Sequence, residues 1–86
     1  MGYLISYSRI EHVQSIYSSE YKVFLKRLRE SRLAKGLTQV RVAKALGKPQ
    51  SFVSKIEHGE RRLDPLELKA LAKLYRVSLD RLVGRP

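Results

Sequence analysis

The spacing of apolar residues changes near residue 20, and from there onward it follows a helical period. Apolar side chains recur three and four positions apart, and no strand-like alternation of useful length occurs. The predicted helices run from about 20 to 35, 38 to 46 and 50 to 59, then from 65 through 74 and from 78 to 82. The expected fold class is therefore all-α, with five helices.

Residues that favour helix ends support these boundaries. Gly36 and Gly47 follow the first and second helices, where a residue in the left-handed conformation commonly ends a helix. The side-chain oxygen of a Thr, Asp or Ser can accept a hydrogen bond from an amide of the first turn. The predicted N-caps of the second, fourth and fifth helices are Thr38, Asp64 and Ser78, with Pro65 at the first position of the fourth helix.

Two stripes of side chains indicate where the core should lie. In the first helix, Phe24, Leu25 and Leu28 share one face with Arg32. Such a stripe marks the buried face of an amphipathic helix. The stripe of the fourth helix is expected to comprise Leu66, Leu68, Leu71, Ala72 and Leu74.

Residues 1–21 do not follow the helical pattern and are expected to form an N-terminal arm ahead of one domain at residues 22–84. The segment YLISYSRI suits a short strand, and either a flexible arm or a strand that pairs with a partner chain fits it. No basic region precedes an apolar core here, so the arm is unlike a signal peptide. No apolar run reaches the roughly 20 residues of a membrane span, and a cytoplasmic location is expected.

The stretch from 37 to 62 meets the geometric requirements of a helix-turn-helix. Two helices that cross steeply need a small residue at their closest approach, and Ala43 occupies that position. Gly47, four residues later, tolerates the positive φ that the turn needs. Val53 and Ile56 can then anchor the second of these helices on the first. The combined spacing of these four residues is a specific signal for this motif.

The formal net charge of +10 is distributed unevenly along the chain. Residues 22–62 carry twelve cations and three anions, whereas residues 1–21 have a net charge of −1 and residues 63–86 a net charge of +2. A local excess of positive charge is self-repulsive, and a polyanionic partner is the physical reason that favours it. Double-stranded DNA is the expected partner, ahead of a membrane surface.

With Val53 and Ile56 buried, one face of the helix that starts at residue 50 must point to solvent. The side chains on that face are short or flexible hydrogen-bond donors and acceptors, which suit base edges in a major groove. A helix with a merely solubilising face would more usually carry pairs of Glu and Lys. The candidate base-contacting residues are Gln50, Ser51, Ser54 and Lys55.

The sequence LTQVRVAKALGKPQSFVSKIEHGERR, with LKRLRESRLAKG before it and LKALAKLYRVSLDRLVG after it, resembles the XRE-type helix-turn-helix family of the Cro/cI phage repressors. The resemblance covers roughly residues 22–84. It implies a five-helix, lambda-repressor-like DNA-binding domain whose third helix enters the major groove, usually as a homodimer on a two-fold symmetric operator. The implied function is a sequence-specific transcriptional regulator, most simply a repressor.

The resemblance also implies roles for individual residues. Gln39 looks like the residue that grips a phosphate at the start of the second helix and braces Gln50, which would read adenine or pair with a base beside it. Lys55 would suit guanine. The expected phosphate-contacting residues are Gln39, Lys48, His58, Arg61 and Arg62. For His58, Arg61 and Arg62 the alternative is an exposed basic loop without DNA contacts.

Arg32 and Glu57 match a family ion pair that ties the first helix to the third, and their expected role is to orient the recognition helix. Two positions depart from the family pattern. Pro49 stands where Ser or Thr is frequent, so the third helix must obtain its cap elsewhere, or from a DNA phosphate. Phe52 is large for an outward position, and it either presses on a thymine methyl or sugar or covers the junction of the second and third helices.

A homodimer needs an apolar surface that remains after the core is filled. The expected surface lies on the fourth and fifth helices and comprises Leu79, Leu82 and Val83, with Tyr75 as a further candidate. An alternative function is an antitoxin-type DNA-binding protein that also binds a partner protein through residues 1–21. A pure protein-interaction module is disfavoured by the cations and by Gln50 and Ser51.

Catalysis is not expected. The chain has no cysteine and two distant histidines, so neither a disulfide framework nor a metal site is predicted, and no cofactor is implied. The carboxylates of Glu57, Glu60 and Asp64 are close in sequence but lack the combination of His, Cys and supporting residues that a catalytic set requires. In a chain of 86 residues, a deep and dry active site would also be difficult to enclose.

Overall fold

The computed structural model describes residues 19–84, which form helices joined by short turns. No strand occurs within this range, and the predicted all-α, five-helix fold is confirmed. Most of the expected N-terminal arm, residues 1–18, lies outside the described residues, whereas residues 19–21 belong to the first helix. The helices are α1 at residues 19–34, α2 at Gln39–Leu46, α3 at Gln50–Glu57, α4 at Pro65–Tyr75 and α5 at Leu79–Val83.

The predicted helix ends are largely confirmed. Gly36 and Gly47 both adopt left-handed conformations, with φ of 69° and 68°, immediately after α1 and α2. Thr38, Asp64 and Ser78 each accept a hydrogen bond from the backbone amide three residues further on, at 2.8 to 3.1 Å. These side chains therefore satisfy amides that a helix start leaves without an intrahelical partner.

Two helix ends are formed in a way that the sequence did not indicate. α3 ends at Glu57 because the amides of His58 and Gly59 turn back to carbonyls of its last turn, and Gly59 then takes a positive φ of 77°. α4 ends where Arg76 adopts a φ of 56°, a left-handed conformation that is uncommon outside glycine. No glycine marks that end, so composition gave no signal for it.

The core takes side chains from all five described helices. Isolated helices of this length are marginal in water, so they persist here because their apolar faces pack on one another. No helix between residues 19 and 84 has the length and apolar character needed to cross a membrane. The buried apolar residues are Phe24, Leu28, Val42, Ala43, Phe52, Val53, Ile56, Leu71, Ala72, Tyr75 and Leu82.

The predicted stripe of α4 is wrong at Leu66, which is 76% exposed. The inward face of this helix is formed by Leu68, Leu71, Ala72 and Tyr75, which follow the helical spacing of three and four residues. Leu66 precedes Leu68 by two positions, a rotation of roughly 200° at 3.6 residues per turn, so it points away from the core.

The predicted dimer surface is wrong at Leu82 and Tyr75, which are 0% and 1% exposed. α5 is a short helix, and Leu82 fills the inward position that seals it onto the core. Arg27 of α1 holds this end of the chain, since its Nη1 donates to the carbonyls of Leu82 at 3.3 Å and Gly84 at 2.6 Å. The exposed apolar residues of α5 are Leu79 and Val83.

Candidate nucleic-acid interface

α2 and α3 pack against each other as a helix-turn-helix. Ala43 and Val53, 2% exposed each, allow the two helices to approach closely. The turn between them is closed by backbone hydrogen bonds from Gly47 to the Lys44 carbonyl at 3.1 Å and from Lys48 to the Ala43 carbonyl at 2.9 Å. Because Gly47 supplies the positive φ, the chain leaves α2 and immediately starts α3 in a new direction.

The opposite face of α3 is open to solvent. Gln50, Ser51 and Lys55 are exposed, and Ser54 is partly exposed. In contrast, Val53 and the other apolar residues of α3 are buried against the rest of the domain. The four side chains expected to contact bases therefore lie on the part of the helix that protein packing leaves accessible.

A chain of hydrogen-bonded side chains connects α3 to α1 and α2, and we call it the Glu57 network. Arg32 donates through Nε to Glu57 Oε2 at 2.6 Å and through Nη2 to Oε1 at 3.1 Å. Gln39 Nε2 donates to Glu57 Oε1 at 3.0 Å, and Gln50 Nε2 reaches Gln39 Oε1 at 3.4 Å. Gln50, at the start of the exposed face, is thus connected to the core through Gln39.

Burial makes the Arg32–Glu57 pair a structural element. The two side chains are only 8% and 4% exposed, and both guanidinium–carboxylate hydrogen bonds are made. The hydrogen bond with Glu57 raises the pKa of Arg32, against the opposing effect of burial. Burial also raises the pKa of the Tyr75 hydroxyl, and the negative charge of Glu57 raises it further. Arg32 further donates to the carbonyl of Leu37 at 2.8 Å, so one side chain joins α1, the turn before α2 and α3.

Phe52 covers the helix junction and does not project toward a DNA partner, because its side chain is largely buried, at 8% exposed. Two cations lie over its ring: Lys48 Nζ at 5.3 Å and the Arg61 guanidinium carbon at 4.6 Å from the ring centroid. Both distances are within the range of cation–π attraction. Phe52 thereby links the turn before α3 to the loop after it.

Arg61 is held by a second ion pair, with Glu67 of α4. Its Nη1 and Nη2 donate to the two carboxylate oxygens at 2.8 and 2.9 Å, and Nη1 also donates to the Arg62 carbonyl at 2.9 Å. The hydrogen bond from Arg61 lowers the pKa of Glu67, and the same contact raises the pKa of Arg61. Lys48, Phe52, Arg61 and Glu67 together form what we call the Phe52 cluster.

Glu67 was not identified from the sequence, although a signal for it exists. It accepts from the Asp64 amide at 3.1 Å while its own amide donates to Asp64 Oδ1 at 2.8 Å. This reciprocal arrangement is a capping box, and the four-residue spacing in DPLE indicates it. The pairing with Arg61 lies outside that local pattern.

His58 and Arg62 have defined neighbours in the structure. His58 Nδ1 lies 2.7 Å from the Ser54 carbonyl, which can only accept, so this ring nitrogen carries a hydrogen. The guanidinium carbon of Arg62 lies 4.7 Å from the ring centroid of Tyr21 in the first turn of the described part of α1. The two side chains follow α3 and extend the basic surface beyond it.

The N-terminus of α3 has no side-chain cap, as the proline at position 49 predicts. Pro49 adopts an extended conformation with φ −72° and ψ 158°, and its ring offers no acceptor. The Phe52 amide instead bonds to the Pro49 carbonyl at 3.0 Å. The preceding amides of Gln50 and Ser51 remain the natural partners of an external acceptor at this helix end.

The carboxylates of the loop after α3 and its neighbours lie in separate environments. Glu57 is paired with Arg32, Asp64 caps α4, and Glu60 is exposed in the loop between α3 and α4. Within residues 19–84, no group of three or more metal-ligating side chains is placed to hold an ion.

Comparison with known proteins agrees with this geometry. A family model described as helix-turn-helix matches residues 25–82, a span that runs from α1 into α5 and includes more than half of the chain. Neither the curated proteins nor the solved structures yield a match. The matched residues contain the α2–α3 turn, the Glu57 network and the exposed face of α3. The chain belongs to the XRE-type helix-turn-helix family of DNA-binding transcriptional regulators.

Proposed function

We propose that the protein is a homodimeric repressor that reads a palindromic operator through α3. The observation that carries this proposal is the two-sided construction of α3. Its outer face presents polar side chains for base contacts, whereas its inner face is fixed by apolar packing and the Glu57 network. A rigidly held helix presents its side chains in a defined register, which sequence readout requires.

Base readout is assigned to the exposed face. Gln50 reads adenine through its amide, and its link to Gln39 restricts the orientation of that amide. Lys55 donates to guanine, and Ser51 and Ser54 contact neighbouring base edges. A good bidentate base contact discriminates by about 1–3 kcal/mol against the wrong base.

Phosphate contacts flank the readout face. Lys48 and the α3 amides lie at its start, and His58 and Arg62 follow its end. Gln39 Nε2 retains one hydrogen beyond the one donated to Glu57.

The dimer contact is assigned to the exposed apolar residues of α5. Leu79 and Val83 are 44% and 57% exposed, which is sufficient for them to pack against a second copy. In a symmetric dimer of this kind, the two recognition helices are about 34 Å apart, one turn of the duplex. The operator half-sites should then be separated by one helical turn from centre to centre.

The test is selection of bound duplexes from a random DNA pool at about 0.15 M salt, where purely electrostatic binding is weakened. Enrichment of an inverted repeat with one-turn spacing is the expected result, and transcription from a promoter that carries this repeat should fall when the protein is added. Failure to enrich any sequence, with the protein folded by circular dichroism, would reject sequence-specific readout. Enrichment of single half-sites would reject the dimer.

Two variants separate readout from backbone binding. Gln50→Ala should reduce the preference for the selected operator over random duplex and leave random-duplex affinity almost unchanged. Arg62→Ala should weaken binding to both duplexes alike and make the slope of log K against log salt shallower by about 0.9. Equal effects of the two variants on both duplexes would contradict the assignment.

A further inference from the structure

We propose that Glu67 withholds Arg61 from the DNA backbone, so that Lys48 is the phosphate contact of the Phe52 cluster and Arg61 is a positioning residue. The inference rests on the proposed DNA-binding function and assigns different roles to two cations on the same surface. The total charge of the domain does not show whether Lys48 or Arg61 is available to DNA.

The two cations share one aromatic neighbour, Phe52. Lys48 Nζ lies 5.3 Å and the Arg61 guanidinium carbon 4.6 Å from the centroid of the Phe52 ring, so the two cations are neighbours on this surface. One comes from the turn before α3 and the other from the loop after it. A backbone strand that passes this corner of the domain would meet either group, and the hydrogen bonds already made by each decide which one binds.

The guanidinium group of Arg61 already donates three hydrogen bonds to protein acceptors. The two terminal nitrogens donate in parallel to the Glu67 carboxylate, and the second hydrogen of Nη1 donates to the Arg62 carbonyl. This planar fork is the same set of donors that a guanidinium uses to bind phosphate bidentately. This end of the Arg61 guanidinium would therefore have to leave Glu67 before it could bind a phosphate. The remaining donors, Nε–H and one Nη2–H, belong to a cation whose charge is already balanced by the Glu67 carboxylate, so a phosphate gains less from binding them.

Glu67 is itself held in place by the start of α4. One of its carboxylate oxygens, Oε1, accepts both from Arg61 and from the Asp64 amide, and its own amide donates to Asp64. A rotation that released Arg61 would also break the capping box. The pairing with Arg61 and the capping of α4 thus favour the same orientation of the Glu67 side chain.

Lys48 has no comparable restraint. Its ammonium lies against the Phe52 ring and contributes to the lowered pKa of the nearby Glu67 carboxylate less than Arg61 does, and between residues 19 and 84 no carboxylate is within ion-pair distance of it. The side chain is exposed, and the aromatic face restricts its position without using its three N–H donors. It can therefore bind an external phosphate without first breaking an ion pair.

The experiment measures the salt dependence of binding to one fixed duplex for the full chain and five variants. Lys48→Gln should make the slope of log K against log salt shallower by about 0.9, because one phosphate contact is lost. Arg61→Gln should leave the slope unchanged. Glu67→Gln should make it steeper by about 0.9, because the released Arg61 reaches a phosphate while Gln still supports the capping box.

The matched control is Glu30→Gln, which makes the same change of charge at an exposed position of α1 outside the Phe52 cluster. It should leave the slope unchanged, and the double variant Glu67→Gln/Arg61→Gln should show the slope of Arg61→Gln alone. If Arg61→Gln does not fold, the comparison of Glu67→Gln with Glu30→Gln decides the question by itself.

Two results would overturn the inference: a shallower slope for Arg61→Gln that matches Lys48→Gln, or equal slopes for Glu67→Gln and Glu30→Gln. Both can occur while the unmodified protein still selects an operator, so they leave the proposed function intact. An unmodified protein that binds no duplex would instead reject the proposed function and the inference together.

Discussion

Two arginine–glutamate pairs adjoin the recognition helix, and they differ chiefly in burial. The Arg32–Glu57 side chains are 8% and 4% exposed, whereas those of Arg61–Glu67 are 40% and 19% exposed. Each pair makes two guanidinium–carboxylate hydrogen bonds of 2.6 to 3.1 Å. The same chemical contact therefore has different consequences, because water stabilises an unpaired charge at the surface and not in the core.

The two pairs also act on different parts of the interface. The inner pair continues through Gln39 to Gln50, so it acts on the orientation of the readout face. The outer pair links the loop after α3 to α4, and we propose that it sets which of the nearby cations is available to DNA. We therefore expect disruption of the inner pair to change folding and specificity, and disruption of the outer pair to change mainly electrostatic affinity.

The largest expected effect is that of Arg32→Met. Removal of the guanidinium leaves the Glu57 carboxylate buried without its counter-charge, and loss of one partner of a buried pair costs about 3–5 kcal/mol. The free energy of unfolding, measured by urea denaturation followed by circular dichroism, should fall by that amount. The loss of stability should be accompanied by weaker preference for the selected operator, because the Glu57 network no longer orients Gln50.

A double variant tests whether the uncompensated charge is the cause. Arg32→Met/Glu57→Met replaces both partners by apolar side chains and should recover much of the stability lost by Arg32→Met. The corresponding change in the outer pair, Arg61→Met, should shift the urea midpoint much less. Equal losses for Arg32→Met and Arg61→Met would show that burial does not distinguish the two pairs.

An intermediate effect is expected at the cap that holds the outer pair. Asp64→Ala removes the acceptor for the Glu67 amide and should lower the free energy of unfolding by about 1 kcal/mol. Asp64→Asn retains an acceptor of similar N-cap preference and should stay close to the unmodified protein in thermal melts. If the two variants have the same melting temperature, the capping box does not contribute to this corner of the domain.

The sequence predicts local features of this fold well, because their causes are local. A glycine at positive φ or an oxygen at a helix start acts within a few residues, and Gly36, Gly47, Thr38 and Ser78 all behave as expected. The steep crossing of α2 and α3 is predictable for the same reason, since Ala43 and its partners occupy a short continuous stretch.

Features that depend on the assembled core were harder to predict. The burial of Leu82 is a consequence of how α5 docks against α1, and the exposure of Leu66 follows from an offset of two residues in α4. The position of Phe52 at the helix junction follows from its burial in the assembled core, where Lys48 and Arg61 lie over its ring. These contacts join separate elements, so helical periodicity alone carries no signal for them.

The smallest expected effect concerns the pH and salt dependence of the outer pair. The pKa of Glu67 is lowered from its ordinary value of 4.5, chiefly by the hydrogen bond from Arg61, so the folded state favours the ionised carboxylate. This contribution to stability is fully present above the pKa of the unfolded chain and is lost as the pH falls through the lower, folded-state pKa. The difference in unfolding free energy between the unmodified protein and Glu67→Gln should therefore be constant near neutral pH and decrease in acid below pH 4.5.

The effect of salt on stability should distinguish the Arg61–Glu67 pair from the buried Arg32–Glu57 pair. At about 1 M salt the screening length is roughly 3 Å, so the Glu67→Gln difference at neutral pH should decrease while the Arg32→Met difference largely persists. Urea denaturation at low and high salt measures both differences in the same way. A Glu67→Gln difference that resists both acid and salt would mean that the hydrogen-bond geometry of the Glu67 side chain with Arg61, and not the charge on Glu67, stabilises this corner. In that case Arg61 would be held by geometry alone, and the division of roles between Arg61 and Lys48 would no longer follow from the ion pair.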